Sequence, residues 1–99
     1  MTFQKDAAEG NEKKYLHKFA DFKDKRVLEI GCGEGRLTWK YAASAKHAVG
    51  IDLDTDSLRV ATIDRPSDLA SKVHFSRAKS EQIPFSKETF DIAVLAWSL

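Results

Sequence analysis

The feature that most limits how this chain can fold is the passage Arg26-Val27-Leu28-Glu29-Ile30-Gly31-Cys32-Gly33-Glu34-Gly35. A short β-rich run ends at Gly31, and glycines recur at alternate positions after it. Without a Cβ, such a turn accepts positive φ and lets a ligand reach the backbone. The segment from Gly35 to Ala45 then carries Leu37, Tyr41, Ala42 and Ala45 on one helical stripe. A strand, a glycine turn and a helix in that order offer unpaired amides and the positive end of a helix dipole. The plain alternative is a tight strand-to-helix turn that holds nothing.

The remainder repeats the strand-and-helix alternation. Ala48-Val49-Gly50-Ile51 is a second apolar strand closed by Asp52. Thr55 to Asp64 follows as a helix, with Asp54 or Thr55 as its cap and Leu58, Ala61 and Thr62 as its apolar face. Leu69 and Ala70 add a helical turn before a third strand, Val73 to Arg77. A loop around Pro84 leads to a fourth strand, Phe90 to Trp97, whose unbroken apolar run expects cover on both faces. Asn11 to Phe22 has helical spacing, and residues 1–10 read as a loose tail. This alternation predicts an α/β fold with a doubly wound parallel sheet and right-handed crossovers.

Two ligand classes compete for the glycine turn. A dinucleotide site needs G-x-G-x-x-G, and the third position counted from Gly31 is Arg36. That pattern fails. What stands instead is an acidic residue, Glu29, two positions before Gly31, in the order acidic-x-G-x-G-x-G. A carboxylate there can bind an ammonium group or hold the loop through backbone amides, and it does little for a pyrophosphate. Asp52, 21 residues after Gly31, stands where a neighbouring strand tip can hold ribose hydroxyls. Asp54 or Thr55 can cap the helix, which leaves Asp52 for that contact.

Val27 to Gly35 resembles the first motif of class I S-adenosylmethionine-dependent methyltransferases, in particular the small-molecule group that includes ubiquinone and menaquinone biosynthesis enzymes. Ile83-Pro84-Phe85 and Phe90-Asp91 are similar to that family's adenine loop and fourth strand. The resemblance implies a Rossmann-like fold and S-adenosyl-L-methionine as cofactor. It places Glu29, Gly31, Cys32, Gly33, Asp52, Leu53, Ser80 and Ala96 in the binding site. Asp52 would take the ribose, Leu53 would pack on the adenine, a backbone amide near Ser80 would meet the adenine edge, and Ala96 would line the methionine pocket. Two positions depart from the pattern. Lys79 replaces a usual acidic residue and cannot accept a hydrogen bond from adenine, and Ala78 replaces a usual glycine.

Other residues receive blander roles. Cys32 is a small packing residue in the turn, and Trp39, off the apolar stripe, packs in the core or at an interface. Arg36 is a solvated arginine near the methionine end. His17, His47 and His74 lack metal-ligand spacing, no metal is expected, and no catalytic residue is identified. Sixteen Lys+Arg against fifteen Asp+Glu give a formal charge of +1 without a basic stripe, which argues against nucleic acid as partner. No apolar run approaches membrane length, and a single cysteine suits a reducing, cytoplasmic setting.

By resemblance the complete fold orders seven strands as 3-2-1-4-5-7-6. The 99 residues reach the fourth. Residues 11–99 thus correspond to part of such a domain, a truncated sheet of order 3-2-1-4. An open apolar fourth strand would be a hazard. A homo-oligomer, or completion by a second chain, is therefore expected. The function expected is transfer of a methyl group to a small-molecule acceptor. The alternative is a non-catalytic binding or assembly module, and nicotinamide chemistry is disfavoured by Arg36.

Overall fold

A computed structural model describes residues 2–4, 21–79 and 89–96. Five parallel strands form one sheet among them: β1 (Thr2–Gln4), β2 (Arg26–Ile30), β3 (His47–Asp52), β4 (Val73–Arg77) and β5 (Ile92–Leu95). Their spatial order is β1-β5-β2-β3-β4. The last four reproduce the 3-2-1-4 order that the resemblance implies.

The register explains which side chains meet. Glu29 stands opposite Gly50 on β3 and Val94 on β5, and Gly50 stands opposite Phe75 on β4. Successive side chains alternate between faces. Val27, Ala48, Val73 and Ile92 therefore share the face of Glu29, and all four are buried. Leu37, Tyr41, Ala42 and Ala45 close over that face, and Phe22 stacks on Tyr41 at 4.8 Å.

Here the helix is shorter than its stripe. The stripe is buried as expected, yet regular α-helix covers only α1 (Thr38–Tyr41). Bonds of the i→i+3 type, Lys40 N to Leu37 O and Ser44 N to Tyr41 O, tighten the chain around it. Burial followed the apolar spacing, and backbone geometry did not have to.

The second helix, α2 (Thr55–Asp64), matches its expected span and runs along β3 and β4. Asp54 is its cap, accepting from the amides of Asp56 and Ser57. Leu58 and Ala61 are buried, but Thr62 is exposed, its hydroxyl bonded back to the Leu58 carbonyl. Three residues of the connector, Ser67–Leu69, form a 3₁₀ turn that buries Leu69.

Two expectations are corrected. The fourth strand, β5, spans Ile92–Leu95; Ile92 and Val94 are buried, while Ala93 and Leu95 are only half-buried. The face of Ile92 and Val94 is fully covered, and that of Ala93 and Leu95 is partly covered. The strand's outer edge is not open, because Thr2–Gln4, read from the sequence as loose tail, pairs with Ala93 to Leu95. The expected helix over Asn11–Phe22 lies outside the described residues apart from its last two positions. No described helix is long and apolar enough to cross a membrane.

Candidate functional site

At the carboxyl end of β2 the chain must leave the sheet between two neighbours. Gly31 N and Cys32 N both donate to the Ile51 carbonyl, at 2.8 and 3.1 Å, which tethers the turn to β3. Gly33 and Gly35 then take φ of +55° and +86°, the left-handed region that side chains disfavour. At Gly35 the missing Cβ also seats Trp39, whose ring would lie 2.7 Å from it. Trp39 in turn packs edge-on to Phe75 at 5.8 Å and lies half-buried against the core.

Asp52, at the tip of β3, reaches across to this turn. Its Oδ2 accepts from Gly33 N at 2.8 Å, and its Oδ1 accepts from Asp54 N at 2.9 Å. A carboxylate offers about four acceptor positions, so two bonds leave acceptor capacity on both oxygens. Holding the glycine loop through an amide, which the sequence offers as a role for Glu29, falls to Asp52.

Glu29 does something the sequence did not disclose. It is fully buried, and its Oε1 accepts two hydroxyls, Thr38 Oγ1 and Tyr41 OH, each at 2.7 Å. Burial, followed by the charge of Glu29, drives the Tyr41 phenol well above its ordinary range. Burial also raises the Cys32 thiol far above its usual value, with Glu29 and then Asp52 adding to the effect. Cys32 is therefore a protonated packing residue, its Sγ set against Gly50.

These groups border one cleft of about 390 Å³, lined by Glu29, Gly31, Cys32, Gly33, Asp52 and Ala96. Six of the eight expected site residues are thus brought together. Glu34, Arg36, Leu37 and Ser57 complete the lining. Leu53 is exposed beside Asp52 and is absent from the lining, and Ser80 lies outside the described residues. Ser57 was missed. Its signal was the spacing Asp54-x-x-Ser57, which puts its hydroxyl 2.9 Å from the cap.

The cleft opens beyond the carboxyl ends of β2, β3 and β5. Between β2 and β5 the strand order reverses, the place where open α/β sheets bind ligands. Three carboxylates and one guanidinium line it, a balance that favours a ligand with positive charge and hydroxyls over a polyphosphate. An added Cβ at Gly33 would meet nothing within 4 Å, so the turn presents bare backbone to open space. The residues present fit an adenosyl amino acid carrying an ammonium group.

Fold and cleft together define an α/β domain with a parallel sheet and a cleft at its switch point. A family model described as "Methyltransferase domain" matches residues 27–99. This chain belongs to that family, the class I S-adenosylmethionine-dependent methyltransferases. It is 35% identical over 77 residues to protein arginine N-methyltransferase 1 of Schizosaccharomyces pombe, covering 77% of this chain and 23% of that protein. It is 32% identical over 78 residues to the ubiquinone/menaquinone biosynthesis C-methyltransferase UbiE of Vibrio vulnificus, covering 75% and 30%. The crystal structure of YcgJ from Bacillus subtilis superposes with a TM-score of 0.79 at 24% identity, over 87% of this chain and 37% of that one, a likeness of fold. The chain spans less than a third of the length of these two curated relatives.

Proposed function

We propose that the cleft binds S-adenosyl-L-methionine and that the protein transfers a methyl group to a small-molecule acceptor. The observation that carries this reading is the joint between Asp52 and Gly33. One carboxylate fixes the glycine turn and still has lone pairs facing the cleft.

When bound, the cofactor supplies a methyl group activated by its sulfonium. The chain's own residues bind and orient it. Asp52 accepts the ribose hydroxyls, a charge-assisted contact that sets the register of the nucleoside. Gly31 and Gly33 let the ligand approach the backbone, and Ala96, fixed by its amide to the Ile30 carbonyl at 2.8 Å, forms the far wall. Leu53 supplies an exposed apolar side chain beside Asp52 for the adenine. Transfer itself needs alignment of acceptor and methyl more than proton chemistry. Scattered basic residues argue against a nucleic-acid acceptor, and the likeness to a ubiquinone/menaquinone biosynthesis methyltransferase favours a small molecule. The likeness to protein arginine N-methyltransferase 1 gives a protein acceptor as the second reading.

Calorimetry with S-adenosylmethionine and S-adenosylhomocysteine tests the reading. The 99-residue chain should bind both. Asp52→Ala, checked for folding by circular dichroism, should weaken both by about 10-fold to 100-fold, the range for hydrogen bonds to a charged group. Unchanged affinity in the variant, or no binding by the folded parent chain, overturns the proposal.

A further inference from the structure

Glu29 borders the cleft yet presents no accessible surface of its own. Burying a carboxylate in an apolar setting is costly unless hydrogen bonds compensate it. Here compensation comes from α1. Thr38 Oγ1 and Tyr41 OH converge on the same oxygen, Oε1, at distances typical of hydroxyls donating to an ionised carboxylate. Thr38 is itself fully buried, and Tyr41 is 1% exposed. A threonine and a tyrosine placed on one helical turn, both spending their hydroxyls inward, serve no packing need that valine and phenylalanine would not meet.

We infer that Thr38 and Tyr41 are positioning residues: through Glu29 they fix a negative charge behind the glycine turn, and that charge selects a ligand bearing an ammonium group. This deepens the cofactor reading and rests on it. Because both hydroxyls donate to Glu29, they should discriminate between the two ends of the ligand. The ammonium end should depend on them, and the adenosine end, held at Asp52, should not.

The surroundings of Glu29 keep the electrostatics simple. On the sheet its neighbours are Gly50 and Val94, neither of which titrates. Tyr41 from α1 and Cys32 from the turn feel its charge, and both hold their protons above the ordinary range. Asp52, from the tip of β3, acts on Cys32 in the same sense. Removing donors to an ionised carboxylate disfavours its charged form, so binding of an ammonium-bearing ligand should weaken.

The test uses Thr38→Val, Tyr41→Phe, the double variant and Thr38→Ser, with two probes. S-adenosylhomocysteine carries the amino-acid part, and 5′-methylthioadenosine lacks it. In the double variant the first should bind about 10-fold more weakly at pH 7. The second should change less than about twofold, and Thr38→Ser, which keeps the hydroxyl, should behave as the parent. Equal weakening of both probes overturns the inference and marks the pair as structural. Should the double variant fail to fold, Tyr41→Phe alone decides by the same ratio of affinities. A parent chain that binds 5′-methylthioadenosine but not S-adenosylhomocysteine overturns this inference and spares the nucleoside site. A folded parent that binds neither overturns the cofactor reading as well.

Discussion

Gly50 sits inside β3, where no turn calls for glycine. A Cβ there would come within 2.7 Å of Cys32 Sγ and 2.9 Å of both Cys32 Cβ and a Phe75 ring carbon. The base of the glycine turn thus rests on a backbone stripped of its side chain. Gly50→Ala should cost about 1–3 kcal/mol, as overpacking does, measured by denaturant unfolding. Adding Cys32→Ala removes the sulfur and should recover part of the loss. Gly33 gives the opposite contrast: a Cβ meets no neighbour, and only the φ of +55° is strained. Gly33→Ala should cost about 1–2 kcal/mol of stability and should reduce nucleoside affinity, since the new methyl stands at the cleft. Glycine spacing was legible in the sequence at 31, 33 and 35. The need for glycine at 50 was not, because it arises from residues 18 positions upstream and 25 downstream.

At the scale of elements, β2 and β5 are clamped at their start by a pair remote in sequence. Asp91 accepts Arg26 Nε and Arg26 N through Oδ2, at 3.1 and 2.9 Å, and Arg26 Nη2 through Oδ1 at 3.0 Å. The Arg26 guanidinium and backbone amide hold the Asp91 carboxyl well below the usual carboxylate range. A carboxylate depressed in the folded state stabilises above its unfolded pKa, and that stabilisation is lost as pH falls toward the folded value. Asp91→Asn should therefore melt at a lower temperature than the parent at pH 7. The gap should close progressively below about pH 4, where the unfolded carboxylate begins to protonate. Asp91 was visible in the sequence only as part of a familiar Phe-Asp pair. Its partner belongs to the first strand of the motif, 65 residues away.

Over the whole molecule, the apolar strand β5 is bordered by β2 on one side and Thr2–Gln4 on the other. Unpaired strand edges invite association between chains. Phe3→Pro removes an amide from the only ladder on that side among the described residues, opposite Val94. The variant should show a higher weight-average mass in light scattering than the parent at equal concentration. Equal masses would mean that the pairing of β1 does not protect this edge.

Local pattern settled much of this protein. Alternating apolar runs, the glycines after β2, the Asp54 cap and the carboxylate closing β3 are short-range signals, and each follows from backbone sterics or hydrogen bonding within a few residues. From them came the parallel sheet and two carboxylates of the cleft, Glu29 and Asp52; the central strand order and the other expected cleft residues came from the family resemblance that these motifs carry. Tertiary structure decided how the carboxylates are used, with Glu29 turned inward to Thr38 and Tyr41 and Asp52 tying the turn. It also decided that β5 is flanked by the chain's own start. Those outcomes depend on which groups the folded chain brings within hydrogen-bonding distance, and a buried carboxylate takes whatever donors packing places beside it.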